Sequence, residues 1–357
     1  MIRVCFIAEQ LDRPELNLIQ NLQGSECEVE LLLDPDDAAF ATMQASAVHT
    51  EALKLSGRYS WSAMKQIRAK LKSGRFDVVH CLRNNRPVSN TVVASIGLST
   101  KLVAYRGTAG NLSRLDPASW MTYFNPRLSK VVCVSDAVRK YLLGMGVPKS
   151  RLITIYKGHD TAWYQSEKTA SLKEFGIPED AFVVGMVANL RELKGVDTLL
   201  AAAELLPETP KVHICLIGNV QEPEIGVLID QYAGKHPLHW LGFRTDASQL
   251  SGAFHIMVMP SKRREGLPRA VIEAMSQGVP AVVTSVGGMP ELVQNRVHGR
   301  VVEPNNPQAL ATGIRSLIEN PTFAVECGLR AQARIEEEFN IQNTVEQTLA
   351  MYQSICS

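Results

Sequence analysis

The chain has no long apolar run, few aromatic residues and almost no net charge. Aromatics make up 6% of its 357 residues, and 37 Lys and Arg stand against 36 Asp and Glu, for a formal charge of +1. That balance argues against a bulk nucleic-acid binder, and a composition of 45% apolar and 20% charged residues argues against disorder. No window holds the ~18 uncharged apolar residues of a spanning helix, so no bilayer crossing is expected. The opening MIRVCFIAEQ meets Glu9 and Asp12 too soon for a signal sequence and reads as a first buried strand. The seven cysteines are odd in number and form no Cys-x-x-Cys pair; Cys5, Cys81, Cys133 and Cys215 lie in apolar, strand-like runs. All seven are read as buried, reduced thiols, which points to a cytoplasmic protein with neither a disulfide framework nor a zinc site.

Short Val- and Ile-rich runs alternate with helical patterns, the signature of strand, crossover helix and parallel strand repeated. One series comprises residues 2–8, 27–33, 76–82, 101–105, 130–134 and 152–155. A second comprises 181–188, 211–217, 238–241, 254–259, 279–284 and 300–302. Two α/β domains fit this length. The polar stretch GHDTAWYQSEKTASLKEFGIPED separates them, with a hinge expected near residues 158–170. Domain spans of 1–165 and 166–335 follow, and residues 336–357 are expected to form a helix packing back on the first domain.

Charge is divided unevenly. Residues 1–160 carry 21 Lys and Arg against 14 Asp and Glu, leaving 16 against 22 for the remainder. Part of the excess lies around residues 61–72, where Trp61, Met64, Ile67 and Leu71 form an apolar stripe and Lys65, Arg68, Lys70 and Lys72 occupy other faces. Such a stripe either packs on the first sheet with its cations solvated, the preferred reading, or docks on anionic lipid.

The chemistry concentrates between Ser261 and Glu291. A strand ends at Pro260, a polar loop follows, and a helix is expected over 267–277, with Pro268 in its first turn and Gly278 and Pro280 at its stop. Its start would lie at the carboxyl end of a parallel strand, where free N–H groups favour an anion such as a diphosphate. Glu265 and Glu273 bracket that start about two helical turns apart, too far to share a proton. An ionised carboxylate only accepts, so a vicinal diol of a sugar is its natural bidentate partner. Spacing alone leaves each Glu equally readable as a solvated or capping residue.

The segment EGLPRAVIEAMSQGVPAVVTSVGGMPELV resembles the Glu-x7-Glu signature of the family 4 retaining glycosyltransferases. The resemblance extends through VVGMVANLRELKGVDTLLAAAELL, LIGNV, LGFRTD and VHGRVVEPNNPQALA, and less tightly through FDVVH, VVCVSDAVRKYLLGMGVPKSRL and YKGHD. It implies a GT-B fold, two Rossmann-like doubly wound α/β domains facing a central cleft. It also implies transfer, with retention and without a cofactor or metal, of a sugar from a nucleoside diphosphate to a glycan or lipid-linked acceptor. Bacterial envelope polysaccharide, lipopolysaccharide or exopolysaccharide, is the expected product class. An anionic membrane surface under the basic first domain is a candidate partner, and nucleic acid is not.

By that resemblance Glu265 would hold donor-sugar hydroxyls, Glu273 the ribose, and the backbone of Gly266, Leu267 and Pro268 the phosphates. Lys194 would neutralise the departing diphosphate. Gly218 and Asn219 match the family's turn near the nucleoside. Where the family has an Arg five residues before the Lys, this chain has Asn189, with Arg191 as a substitute cation or an exposed loop residue. The Gly-rich loop expected after the first strand is replaced by AEQLDRPELN, and the family's His after the fourth strand by AYRGTAGN. Arg106, with Gly107, Thr108 and Asn111, either presents a cation and donors there or belongs to a structural loop. His80 reads more readily as core than as a site residue. The missing Gly-x-Gly-x-x-G argues against a nicotinamide dehydrogenase. A sugar-nucleotide epimerase, a phosphorylase and a non-catalytic glycan-binding protein stay open as alternatives.

Overall fold

The computed structural model describes all residues except Asn84 and 166–170, and the side chain of Gln165. The hinge expected near 158–170 therefore lies partly outside the described residues. The chain forms two compact units, Met1–Gly158 with Ile341–Ser357, and His159–Asn340.

The first unit holds a seven-stranded parallel sheet in the order β3-β2-β1-β4-β5-β6-β7. Its strands are β1 (Ile2–Ala8), β2 (Cys27–Leu33), β3 (His49–Ala52), β4 (Val78–Cys81), β5 (Lys101–Arg106), β6 (Leu128–Cys133) and β7 (Leu152–Thr154). β1 to β3 run to one side, and β4 then crosses to the other side of β1, so the crossover direction reverses between β1 and β4. β3 was not expected. Its four residues, His-Thr-Glu-Ala, pair only with β2 at the sheet edge and are exposed or half-buried, so they carry no apolar run.

The first unit's core joins strand residues such as Phe6 and Leu31 to Leu18, Ile19 and Leu22 of helix Arg13–Leu22. Val345, Met351 and Tyr352 of the last helix, Ile341–Cys356, complete it. Met64, Ile67 and Leu71 are buried on helix Trp61–Gly74, whereas Trp61 is 83% exposed. The stripe thus packs inward. Its cations are only partly solvated: Arg68 donates to Ala94 O and Ile96 O at 2.8 Å each, and Lys70 pairs with Glu51 at 2.6 Å and with Glu30.

The second unit repeats the plan with six parallel strands in the order β10-β9-β8-β11-β12-β13. They are β8 (Phe182–Val187), β9 (Val212–Ile217), β10 (Leu238–Trp240), β11 (Ile256–Met259), β12 (Ala281–Thr284) and β13 (Gly299–Val302). Here the direction reverses between β8 and β11. Apolar residues on nearly every position of β9, β11 and β12 are buried, as strands covered on both faces require. Six cysteines are buried, but Cys356, in the last turn of the terminal helix, is exposed, contrary to the reading of all seven as buried. It follows the last buried turn, where the helix runs past the core.

No described helix is long and apolar enough to cross a membrane.

Candidate active site

Open parallel sheets bind ligands outside the carboxyl ends of the strands that flank the reversal. In the second unit those ends belong to β8 and β11, and the loops that follow them carry Lys194 and Glu265. Lys194 Nζ donates to Glu265 Oε1, the same oxygen that accepts from Ser261 Oγ at 2.7 Å. Glu265 is 7% exposed and Ser261 fully buried. A carboxylate so withdrawn from water needs partners of this kind, and it has one cation and one hydroxyl.

The two loops are also tied through their backbones. Lys262 N donates to Leu193 O at 2.8 Å, and Lys262 Nζ pairs with Asp197 at 2.7 Å. Ser261 is held from behind by β12, where Thr284 Oγ1 donates to Ser261 O at 2.5 Å. The turn after β12 presses on the same segment: Gly288 N donates to Gly266 O at 2.9 Å. Gly287 lies there at φ +59°, and a Cβ on it would stand 2.0 Å from Glu265 O. Only glycine allows that approach.

The helix that follows spans Arg269–Met275, with Pro268 (φ −74°, ψ 111°) at the N-cap rather than in the first turn. It is shorter at both ends than expected: Pro268 stays extended before it, and Gln277 N and Gly278 N donate to Ala274 O and Met275 O in turns that close it after Met275. Gly266 and Pro268 are buried and Leu267 is half-buried. Glu273 pairs with Arg269 Nε at 3.1 Å one turn earlier on the same helix.

Asn189 and Asn219 are both exposed and come together through the backbone. Leu190 N donates to Asn219 O at 2.8 Å, and Gln221 N to Leu190 O at 2.9 Å. Gly218 is buried where β9 ends, at φ +138°, and a Cβ there would stand 1.8 Å from Ala188 O. Its N–H donates to Gly242 O at 2.7 Å, and its carbonyl accepts from Trp240 Nε1 at 2.9 Å. Arg191 is extended and half-buried, and its Nε has no hydrogen-bond partner among the described residues. The second unit therefore gathers Lys194, Glu265 and the 189–191 and 218–219 segments at the ends of neighbouring strands β8, β9 and β11.

Arg106 belongs to the first unit and is differently placed. It is 6% exposed; Nε donates to Thr108 O at 2.9 Å and Nη2 to Gly110 O, with the guanidinium 4.7 Å from the Tyr123 ring centre. Two of its donors thus hold its own loop, and with Gly107, Thr108 and Asn111 it lines a hollow of about 440 Å³. His80 is core: it is 2% exposed, lies 5.2 Å from the Phe6 ring and meets Tyr352 Oη through Nδ1 at 2.7 Å. Burial pushes its pKa down to about 3. One Asp-x-Asp triplet, Asp34-Pro35-Asp36, follows β2. Asp36 pairs with Lys54 at 2.5 Å, and Asp34 accepts from Asp36 N at 3.0 Å. Sequence reasoning missed Ser261 and Thr284 as supports of Glu265. Small hydroxyl residues at the carboxyl ends of β11 and β12 were the available signal.

Two doubly wound units, each with a reversal in its parallel sheet, match solved structures of the GT-B glycosyltransferase fold. The Anabaena HepE structure in complex with UDP matches at a TM-score of 0.82 and 22% identity, covering 99% of this chain and 100% of that one. The apo lipopolysaccharide outer core galactosyltransferase WaaB matches at 0.72 and 13%, covering 99% and 100%. The profile of Glycosyltransferase Family 4 matches residues 16–163, and that of Glycosyl transferases group 1 matches residues 167–334. The chain belongs to the family 4 glycosyltransferases. A D-inositol 3-phosphate glycosyltransferase of Nocardioides is 26% identical over 62% of this chain and 53% of its own length. An N-acetyl-alpha-D-glucosaminyl L-malate synthase of Bacillus anthracis is 25% identical over 58% and 55%. The chain thus spans a little over half the length of these curated relatives.

Proposed function

We propose that the protein transfers a sugar, with retention of anomeric configuration, from a nucleoside diphosphate donor to a glycan or lipid-linked acceptor in bacterial envelope polysaccharide synthesis. The observation that carries this reading is the Lys194–Glu265–Ser261 cluster at the reversal of the second sheet. A buried carboxylate beside an ammonium suits a donor whose sugar offers hydroxyls and whose leaving group is anionic. On binding, Glu265 accepts from the sugar while Lys194 turns to the phosphate, stabilising the charge that grows as the glycosidic bond breaks. Arg191, with an unbonded Nε, supplies a second cation. Glu273 takes the ribose hydroxyls, and the departing phosphate oxygen receives the acceptor's proton. No metal or cofactor enters this scheme.

The relatives' chemistry supports the donor class: HepE is seen with UDP and with UDP-glucose. WaaB, a lipopolysaccharide galactosyltransferase, supports the envelope role. Access to nucleotide sugars and lipid-linked acceptors places the reaction in the cytoplasm, at the inner face of the membrane. The test is calorimetric titration with UDP, GDP and ADP sugars, followed by product analysis with and without acceptor sugars. Transfer to a hydroxyl, with the new linkage matching the donor's anomer by NMR, is expected. No nucleotide binding removes the proposal; an isomerised nucleotide sugar points to an epimerase, and sugar phosphate formed from inorganic phosphate to a phosphorylase. Donor turnover that survives Glu265→Ala removes the assignment of this cluster.

A further inference from the structure

The loops that follow β4 and β11, the strands across each reversal, both hold an arginine in the left-handed backbone region: Arg83 at φ +50° and Arg264 at φ +65°. That region is costly for a residue with a Cβ, and among the described residues only four other non-glycines adopt it. Asn111 and Asn305 are of the type that tolerates it. Arg75 is the C-cap of helix Trp61–Gly74, and Arg296 donates its N–H to Gly299 O at 2.8 Å in the turn before β13. Backbone geometry accounts for those four, and charge accounts for Arg83.

Arg83 bonds Glu15 at 2.7 Å and also Asp12, the two carboxylates that cap helix Arg13–Leu22, and Lys157 bonds the same pair at 2.7 and 2.8 Å. Two cations there meet two carboxylates. In the second unit the same placement is left open. Lys262, Arg263 and Arg264 run directly into Glu265. Lys262 pairs with Asp197 at 2.7 Å and Arg263 with Glu192 at 3.3 Å, both on the segment that follows β8. Glu265 is taken by Lys194 and Ser261. Arg264 is exposed and has no hydrogen bond or ion pair with any described residue.

A strained arginine next to the sugar-holding acid, with Asp197, Glu192 and Glu265 all engaged by other cations, is placed for an anion that the substrate brings. In the transferase reading the diphosphate already has Lys194 and Arg191. Arg264 is joined to Glu265, so its Cα lies about 3.8 Å from that of the residue assigned to sugar hydroxyls. A guanidinium presents a planar fork that matches a carboxylate through two parallel hydrogen bonds. An acidic sugar needs such a cation there, because Lys194 leaves Glu265 for the phosphate and two carboxylates would otherwise face each other.

We propose that Arg264 is a specificity-determining residue that pairs with a carboxylate on the transferred sugar, so that the donor is a nucleoside diphosphate uronic acid. The inference rests on the transferase reading of the second unit and narrows its donor class.

Calorimetry with UDP, GDP and ADP first identifies the base. Donor pairs on that base follow: glucose with glucuronate, galactose with galacturonate, and mannose with mannuronate. In the unmodified protein at least one uronate should bind about tenfold or more tightly than its neutral partner. Arg264→Asn removes the cation and keeps a residue that tolerates the left-handed backbone. It should bring that pair within about threefold of each other, with the affinity for free nucleotide changed by less than about threefold. A uronate preference absent from all three pairs, or unchanged in Arg264→Asn, overturns the proposal. So does a loss of free-nucleotide affinity as large as the loss of uronate affinity, which would put Arg264 on the phosphates. Binding of no nucleotide at all removes the transferase reading itself, whereas the other failures leave it standing.

Discussion

Lys194 and Glu265, 71 residues apart, meet on one carboxylate oxygen, which also accepts from Ser261. Before any substrate arrives, the cation assigned to the leaving group thus neutralises the acid assigned to the sugar. Their side chains are only 15% and 9% exposed, so removing either partner strands the other. Lys194→Ala should lower donor turnover by about 10²–10³-fold, the scale seen when one preorganised electrostatic contact is lost. It should also cost the second unit on the order of 3 kcal/mol in urea unfolding. Steady-state release of UDP and a denaturant titration measure the two effects. Turnover within a few-fold of the unmodified protein would remove Lys194 from the mechanism.

Glu273 and Arg269 pair along one helix, in the order Arg before Glu, which is the less favourable orientation for such a pair. Glu273→Gln should weaken UDP binding by about tenfold, the loss of a charge-assisted hydrogen bond. Comparison with 2′-deoxy-UDP locates the contact. The unmodified protein should prefer UDP, and the variant should bind both nucleotides nearly alike. A preference that persists in Glu273→Gln shows that another group reads the ribose.

Much of this was legible in the sequence, for identifiable reasons. Ile2–Ala8 is apolar apart from Arg3, and Cys27–Leu33 alternates apolar residues with Glu28 and Glu30 before three leucines; both strands form over those same residues. His49–Ala52 gave no signal, because an edge strand held by one neighbour needs no apolar side chains. Glu265, Glu273 and Lys194 stood out by family resemblance, but their pairings did not. Which loop meets which depends on strand order, and the adjacency of β8 to β11 joins segments about 70 residues apart. AEQLDRPELN was recognised only as something missing. Its role appears once Arg83 and Lys157 are brought to Asp12 and Glu15 from β4 and β7.

Gly287 gives a backbone test of the same site. Its φ of +59° is costly for other residues, and an added Cβ would stand 2.0 Å from the carbonyl of Glu265. Backbone cannot yield as a flexible side chain does, so Gly287→Ala should displace Glu265. We expect a loss of about 10²-fold in turnover, the cost of misplacing a catalytic group by roughly 1 Å, alongside 1–3 kcal/mol of destabilisation. Gly97 at φ +75°, with open space around it, is the control: Gly97→Ala should bear the backbone cost alone and leave turnover unchanged.

The burial of His80 makes the first unit's stability depend on pH. His80 lies at the sheet's centre, and burial lowers its pKa from 6.5 to about 3, so it is neutral in the folded protein at pH 5. The unfolded chain takes up the proton first as pH falls. The stability this histidine contributes is therefore complete above pH 6.5 and drains away between about 6.5 and 3. Between pH 7 and pH 5 the unmodified protein should lose about 2 kcal/mol more than His80→Gln, which cannot titrate. The remaining histidines are common to both proteins and cancel in the difference. Tyr352→Phe, which removes the hydroxyl from Nδ1, should cost about 1–3 kcal/mol at either pH. Urea unfolding at the two pH values reads both effects, and parallel pH dependence in the unmodified protein and His80→Gln would show that the terminal helix leaves His80 open to water.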